Sequence, residues 1–261
     1  MNKLKLGLFD SGIGGISVLS RARSRLPSAD FLYYADTLHV PYGTKTREEI
    51  IRYSDVAVGA LAEQGVSAVV VACNTATSMA IGFLRDKYKF PIIGMEPAVK
   101  PAAAAHHGER VLVCATPVTI AGEKLHSLIE QTYAADPDDR PDLVGLPHLV
   151  ELAENGIFDT ATVCDYLKTV IDTSIPYTAV VLGCTHFGYF ADSFRHLLGN
   201  VDLIDGTEGT VNRLVSLLRE RGIEPTGDGE GSVTFYRSGS PVTDAATLAF
   251  YDSLLERSCV L

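Results

Sequence analysis

Short runs of β-branched apolar residues alternate along the chain with longer segments in which apolar positions recur at helical spacing. Such apolar runs are typical of strands buried on both faces. In the first part of the chain, strands are predicted at 5–9, 31–35, 68–72 and 91–95, and helical segments at 15–26, 47–65, 75–88 and 98–108. This alternation predicts a mostly parallel sheet covered by helices.

The same rhythm begins again near residue 110. Strands are predicted at 110–116, 142–147, 179–182 and 201–205, with helices at 118–134 and 160–173, and then a strand at 232–239 and a helix at 244–257. We expect this last strand and helix to return to the first unit. The pattern therefore predicts an α/β protein of two similar units, a first domain formed by residues 1–97 and 209–261 and a second formed by residues 98–208.

The composition and charge of the chain limit which classes of protein and which partners are compatible with it. The chain has 261 residues, 46% of them hydrophobic, and a formal net charge of −10. This acidity disfavours general binding to nucleic acid or to anionic membranes. No apolar run approaches the roughly 20 residues of a membrane span, and no signal peptide is evident. The five cysteines include no C-x-x-C pair, so we expect reduced thiols in the cytoplasm and neither a disulfide framework nor a zinc ribbon.

Two cysteines occur in closely similar contexts. VVVACNTAT (69–77) and VVLGCTHFG (180–188) each place a thiol, Cys73 or Cys184, directly after a predicted buried strand. The carboxyl ends of strands are where open α/β sheets carry their sites, and a helix amino terminus there favours a thiolate. Thr75 is a natural cap for the helix after Cys73. The alternative is that both are core residues, the interpretation we give to Cys114, Cys164 and Cys259.

Two glycine-containing loops supply further candidates. FDSGIGGISV (9–18) lacks the spacing of a dinucleotide fingerprint. Its Asp10 and Ser11 are candidates either for helix capping or for holding a substrate ammonium and orienting a thiol. The turn at Tyr42 and Gly43 is a surface turn or a source of backbone donors for a carboxylate.

The remaining titratable candidates are two acid/base groups and a histidine pair. Glu151 and His186 are candidates for proton transfer, and His186 follows Cys184 by two positions. His106 and His107 have no cysteine or carboxylate at ligand spacing, so no metal is expected.

These blocks resemble the cofactor-independent glutamate racemases of the aspartate/glutamate racemase superfamily. The matching segments are GLFDSGIGG (7–15), ADTLHVPYG (35–43), ACNTAT (72–77), ATPVTI (115–120) and GCTHF (183–187). The resemblance implies two pseudo-symmetric α/β domains with the active site in the cleft between them. It also implies interconversion of L- and D-glutamate, which supplies D-glutamate for peptidoglycan synthesis.

The resemblance also assigns roles to individual residues. It implies that Cys73 takes the proton from D-glutamate and Cys184 from L-glutamate, with Asp10 assisting Cys73, and Glu151 and His186 assisting Cys184. Substrate binding is implied for Asp10, Ser11, Tyr42, Gly43, Asn74, Thr75, Thr185 and His186. No cofactor is expected. Apart from Lys45, the matching blocks contain no lysine, so a pyridoxal Schiff base is not suggested.

Three alternative functions remain compatible with the sequence. An aspartate racemase would keep the two-cysteine chemistry with a different pocket. A decarboxylase or isomerase of the same fold is a second alternative; some of these relatives retain only one of the two cysteines, whereas this chain has both. A nucleotide-binding α/β module would use the glycine-rich loop and be indifferent to Cys73→Ala. The expected partner is a small-molecule substrate, glutamate; a homodimer is compatible with the sequence, which does not define the oligomeric state.

Overall fold

The computed structural model describes residues 3–223 and 229–257, and Cys259 lies outside them. The packing of the chain separates it into two compact units. One contains the described residues up to Met95 and those from Thr207 onwards, and the other contains Glu96–Gly206. These limits differ by two residues from the predicted ones, and the division into domains stays a prediction.

The first unit is built on a six-stranded sheet. Its strands are β1 (Lys5–Asp10), β2 (Asp30–Ala35), β3 (Ala68–Val71), β4 (Ile92–Gly94), β9 (Val233–Arg237) and β10 (Ser240–Pro241). The order across the sheet is β10-β9-β2-β1-β3-β4, and all neighbours are parallel except the β9–β10 hairpin. The strand from the C-terminal part of the chain therefore lies beside β2.

Five helices accompany this sheet. They are α1 (Ile16–Arg25), α2 (Arg47–Glu63), α3 (Asn74–Lys87), α10 (Thr207–Glu220) and α11 (Ala245–Arg257), with a short 3₁₀ helix at Tyr42–Thr44. A capping box starts α2, because Thr46 accepts a hydrogen bond from the Glu49 backbone while the Glu49 carboxylate accepts one from Thr46. Helix α1 packs against α10 and α11, which joins the C-terminal helices to this unit.

The second unit has a four-stranded, fully parallel sheet. Its strands are β5 (Val111–Ala115), β6 (Asp142–Gly145), β7 (Ala179–Leu182) and β8 (Asp202–Asp205), in the order β6-β5-β7-β8. The helices are α4 (Val99–Ala105), α5 (Pro117–Ala121), α6 (Glu123–Thr132), α7 (Pro147–Glu154), α8 (Thr160–Leu167) and α9 (Ala191–Leu198), with 3₁₀ helices at Pro137–Asp139 and Thr185–Phe190. The predicted α/β class with mostly parallel sheets is confirmed.

The two sheets share one topological plan. In each, the first strand of the unit lies between the second and the third, and the fourth lies beyond the third. The third strands, β3 and β7, are buried along their whole length, as expected for central strands covered on both faces. Cys73 follows β3 and Cys184 follows β7, so the two thiols occupy equivalent positions in their own sheets.

Several helices differ from the predicted pattern. The helix predicted at 118–134 is interrupted at Gly122, whose extended backbone (ψ 132°) ends α5 and precedes α6. The helix predicted at 160–173 ends at Leu167. Helices α7, α9 and α10 were not predicted. Within the described parts of the chain, no helix combines the length and apolar character needed to cross a membrane.

Candidate active site

The carboxyl end of β1 carries two of the predicted site residues. Asp10 is fully buried, and its Oδ1 accepts hydrogen bonds from the Gly12 backbone N–H at 2.9 Å and from the Ser11 hydroxyl at 3.5 Å. The capping interpretation is wrong for both residues, because α1 begins later, at an N-cap formed by Gly15. Asp10 instead stabilises the turn that connects β1 to α1.

Gly15 allows this turn to pack closely against its own sheet. A Cβ atom at Gly15 would lie 2.8 Å from the Cβ of Asp10 and 2.9 Å from the Cβ of Ala72. Real Cβ atoms do not approach so closely, so any larger residue would displace the segment that carries Asp10.

Cys73 is the N-cap of α3. Its Sγ accepts a hydrogen bond from the Ala76 backbone N–H at 3.4 Å and donates one to the Ser11 hydroxyl at 3.5 Å. The predicted cap, Thr75, lies inside the helix. Because α3 has 14 residues, its amino terminus places a persistent positive potential at this sulfur, which stabilises a thiolate. Ser11 then links the sulfur to the Asp10 carboxylate.

The first turn of α3 adds polar groups beside Cys73. Asn74 and Thr75 are both buried, and the amide nitrogen of Asn74 donates to the Met95 carbonyl at 3.4 Å. The Asn74 Oδ1 is buried and accepts no hydrogen bond from any residue that the structure describes. A buried acceptor of this kind requires a donor, and an ammonium group is a suitable one.

The Tyr42 side chain of the Tyr42–Gly43 turn is already engaged. The Tyr42 hydroxyl donates to Asp36 Oδ2 at 2.7 Å. Burial, reinforced by the Asp36 carboxylate, raises the pKa of Tyr42 far above its ordinary value, so the hydroxyl stays protonated. It therefore has no second proton to donate to a substrate carboxylate.

Cys184 has a different environment. It precedes a six-residue 3₁₀ helix, and its side chain makes no capping hydrogen bond to the described residues of that turn. Its Sγ lies 3.6 Å from Nδ1 of His186, whose Nε2 lies 2.7 Å from Oε1 of Glu154. Sulfur, imidazole and carboxylate thus form a continuous chain, in which the histidine can carry a proton to or from the thiol.

The electrostatics of this chain favour a charged histidine. Burial lowers the pKa of His186, but hydrogen bonds and charge interactions with Cys184 and Glu154 outweigh burial and raise its pKa well above the ordinary histidine value. An imidazolium between two acidic groups stabilises both the carboxylate and a thiolate at Cys184.

The carboxylate partner of His186 is Glu154 and not Glu151, and the role of Glu151 in assisting Cys184 stays a prediction. The Glu151 side chain is 55% exposed and pairs with His148 at 2.8 Å. The Glu154 side chain, one helical turn further along α7, is only 15% exposed. Both residues lie on the same short helix, and only Glu154 contacts His186.

The remaining thiols and histidines have other surroundings. Cys114 and Cys164 are buried, and burial raises the pKa of both thiols, which keeps them neutral. His106 pairs with Glu109 at 2.8 Å and with Asp202 at 3.1 Å. Over residues 3–223 and 229–257, no group of three or more His, Cys, Asp or Glu side chains is arranged to hold a metal ion.

Comparison with known proteins shows the family to which this chain belongs. The family model described as Asp/Glu/Hydantoin racemase matches residues 17–214. The chain belongs to this family. Among individual relatives, the glutamate racemase of Halothermothrix orenii is 48% identical over 239 residues, which cover 90% of this chain and 93% of that protein.

Solved structures of the family have the same fold. Escherichia coli glutamate racemase in complex with L-glutamate and the activator UDP-MurNAc-Ala superposes with a TM-score of 0.81 at 26% identity, covering 98% of this chain and 96% of that one. The enzyme from Francisella tularensis subsp. tularensis in complex with D-glutamate superposes with a TM-score of 0.80, also at 26% identity, covering 98% and 95% of the two chains.

Proposed function

We propose that this chain interconverts L- and D-glutamate without a cofactor, using Cys73 and Cys184 as the acid/base pair. The observation that carries the proposal is the equivalent placement of the two thiols, each after the third strand of its sheet and each with its own proton-handling neighbours. Similarity to glutamate racemases over nearly the whole chain supports the choice of glutamate.

The reaction consists of two proton transfers at one carbon. The thiolate of one cysteine removes the α-proton, so that the C–H bond breaks, an S–H bond forms and the electron pair moves into the α-carboxylate. The thiol of the other cysteine donates its proton to the opposite face of the carbon and becomes a thiolate. Atoms and charge balance, and the step leaves the protonation states of the two cysteines exchanged, which is the form that acts on the opposite isomer. Cys73 would act as base on D-glutamate and Cys184 on L-glutamate.

Each cysteine would use its own set of neighbouring side chains. Ser11 and Asp10 would orient Cys73, while the amino terminus of α3 stabilises its thiolate. His186, held by Glu154, would move the proton at Cys184. The two faces of the substrate would therefore meet thiols of similar role but different activation.

Substrate binding would use groups on the same loops. We propose that the buried Asn74 Oδ1 accepts from the substrate ammonium and that backbone N–H groups at Tyr42 and Gly43 hold a carboxylate. Ser11, Thr75, Thr185 and His186 complete the proposed set. Fixed donors of this kind are needed because the α-proton of an amino acid is very weakly acidic and charge develops on the carboxylate.

The proposed product has a physiological use and location. D-Glutamate would supply peptidoglycan synthesis, and a cytoplasmic location agrees with the four cysteines of residues 3–223, which occur as thiols. The homodimer remains a prediction.

Circular dichroism of purified protein with D- or L-glutamate, with no cofactor added, tests this function. We expect the optical signal of either isomer to decay to zero as a racemic mixture forms. Decay of the signal with aspartate and not with glutamate would overturn the assignment of glutamate as the substrate and leave the two-cysteine mechanism standing. No decay with either amino acid would contradict the racemase and favour a binding protein.

A further inference from the structure

Asp36 receives hydrogen bonds from three side chains, two in the loop that follows it and one in the β9–β10 turn. It follows β2, and only 3% of the residue is exposed. Its carboxylate accepts from the Tyr42 hydroxyl at 2.7 Å, from Nδ1 of His39 at 2.8 Å and from the Ser238 hydroxyl at 2.9 Å. A buried carboxylate needs several donors, and charge-assisted bonds of this kind are the strong ones in proteins.

Ser238 lies in the two-residue turn between β9 and β10. Its φ is 42°, and the next residue, Gly239, has a φ of 92°. Positive φ at both positions of a hairpin turn favours Asn-Gly or Gly-Gly, so serine is strained here. The hydroxyl explains its presence, since it donates to Asp36 and accepts from the Leu38 backbone N–H at 3.0 Å. Strain at a non-glycine residue persists where surrounding contacts hold it in place.

The loop that these bonds hold has little other support at its start. Leu38 is 77% exposed, so it contributes little packing. His39 lies flat on Tyr53 of α2, with ring centroids 3.7 Å apart and an interplanar angle of 14°. The segment from Asp36 to Gly43 is therefore held by hydrogen bonds to the Asp36 carboxylate and by the bond from Leu38 to Ser238. The buried Tyr42 ring also packs against Phe9 and Tyr53.

We propose that Asp36 and Ser238 are positioning residues for the substrate-binding turn at Tyr42 and Gly43. This inference rests on the proposed function, in which backbone N–H groups of that turn hold a substrate carboxylate. Neither side chain is required to touch the substrate. Asp36 fixes the Tyr42 ring, and Ser238 fixes the backbone at Leu38, so the two together set where the N–H groups point. Small displacements of such donors weaken binding strongly.

Ser238→Gly separates positioning from stability. Glycine adopts positive φ without strain, and this gain offsets part of the stability lost with the two hydroxyl hydrogen bonds, so the variant should stay folded and melt within a few degrees of the wild type. Because both hydroxyl bonds are lost, we expect KM for each glutamate isomer to rise about fivefold to tenfold, with kcat within about twofold of the wild type. Ser240→Ala, at an exposed position of the same hairpin, is the matched control and should leave KM unchanged.

A second variant tests the connection through Asp36. Asp36→Asn should raise KM in the same direction, and its combination with Ser238→Gly should raise KM less than the product of the two single effects, because both act on one network. Wild-type KM in Ser238→Gly would overturn the positioning role while leaving the racemase intact. A fall of more than a few degrees in melting temperature, with kcat and KM both impaired, would indicate a folding defect and overturn it as well. Wild-type protein that does not turn over glutamate would contradict the proposed function itself.

Discussion

At the scale of single residues, the two thiols depend on different chemistry for their activation. Cys73 is stabilised by neutral donors, the Ala76 N–H and the amino terminus of α3, with Ser11 connecting it to Asp10. Cys184 depends on an ionisable side chain, His186, and on the carboxylate behind it. Proton transfer at Cys184 should therefore be more sensitive than proton transfer at Cys73 to pH and to changes at a distance from the sulfur.

Glu154→Gln should reduce kcat by roughly 10- to 100-fold, because His186 loses the carboxylate that orients and charges it. The effect should be larger in the direction that uses Cys184 as base. Kinetics in both directions measure this, together with an NMR titration of the His186 ring, whose midpoint should fall in the variant. Glu151→Gln is the matched control on the same helix, and a loss of activity in Glu151→Gln instead would contradict the assignment.

The raised pKa of His186 also predicts how stability depends on pH. Its folded-state pKa lies well above the unfolded value of about 6.5. The stabilisation from protonated His186 is therefore fully present below about pH 6.5 and is lost as pH rises through the folded-state pKa. Urea unfolding of wild type and His186→Asn across this range measures the difference, which should shrink with increasing pH. A difference that grows with pH would contradict the sign of the shift.

The sequence could predict the thiols but not every partner. Cys73 and Cys184 follow apolar runs, and His186 comes two positions after Cys184, so their loop positions follow from the strand pattern. Glu151 and Glu154 are one helical turn apart in a short helix that the pattern did not predict. Which of the two faces inward depends on the packing of Leu149, Leu152 and Ala153, which sequence spacing alone does not specify.

At the scale of elements, the strands follow directly from the apolar runs, while helix limits depend on local interruptions. Strand β7 is buried throughout, so its composition is uniformly apolar and easily recognised. Helices α5 and α6 were predicted as one, because their apolar spacing continues across Gly122 although its backbone is extended. Helix α9, which follows the 3₁₀ turn after Cys184, was missed because that turn obscures its start.

The close packing of the β1–α1 loop leads to a prediction about Gly15. Gly15→Ala would force the new Cβ against Asp10 and Ala72, so we expect kcat/KM to fall by at least about tenfold and stability to fall by about 1–3 kcal/mol. Gly82→Ala is the contrasting change, in an exposed turn of α3 with no atom within 4 Å of the new Cβ. It should add about 1 kcal/mol of stability with activity unchanged. Enzyme assays and urea unfolding of both variants check this, and wild-type activity in Gly15→Ala would show that the loop tolerates displacement.

At the scale of the whole molecule, the chain repeats one topological plan. The order of the first four strands, β2-β1-β3-β4, corresponds to β6-β5-β7-β8, and the thiol loops follow the corresponding strands. The repeated β-α rhythm made this predictable. The position of the C-terminal strand β9 in the sheet was harder to predict from the sequence, because β9 pairs with β2 across a large separation in sequence. The hydrogen-bonded pairing of the two strands in the structure establishes this position. A repeated scaffold with one thiol in each copy suits a reaction that needs an acid and a base of the same kind.

The most direct test of the two-thiol account is α-proton exchange followed by NMR in D₂O, with D- and L-glutamate in separate samples. Wild type should exchange the α-proton and produce the opposite isomer from either substrate. Cys73→Ser and Cys184→Ser should each lose interconversion by at least about 100-fold, while Cys164→Ser, a buried thiol that contacts the Ser193 carbonyl, should retain it. Interconversion at the wild-type rate in either Cys73→Ser or Cys184→Ser would contradict the account.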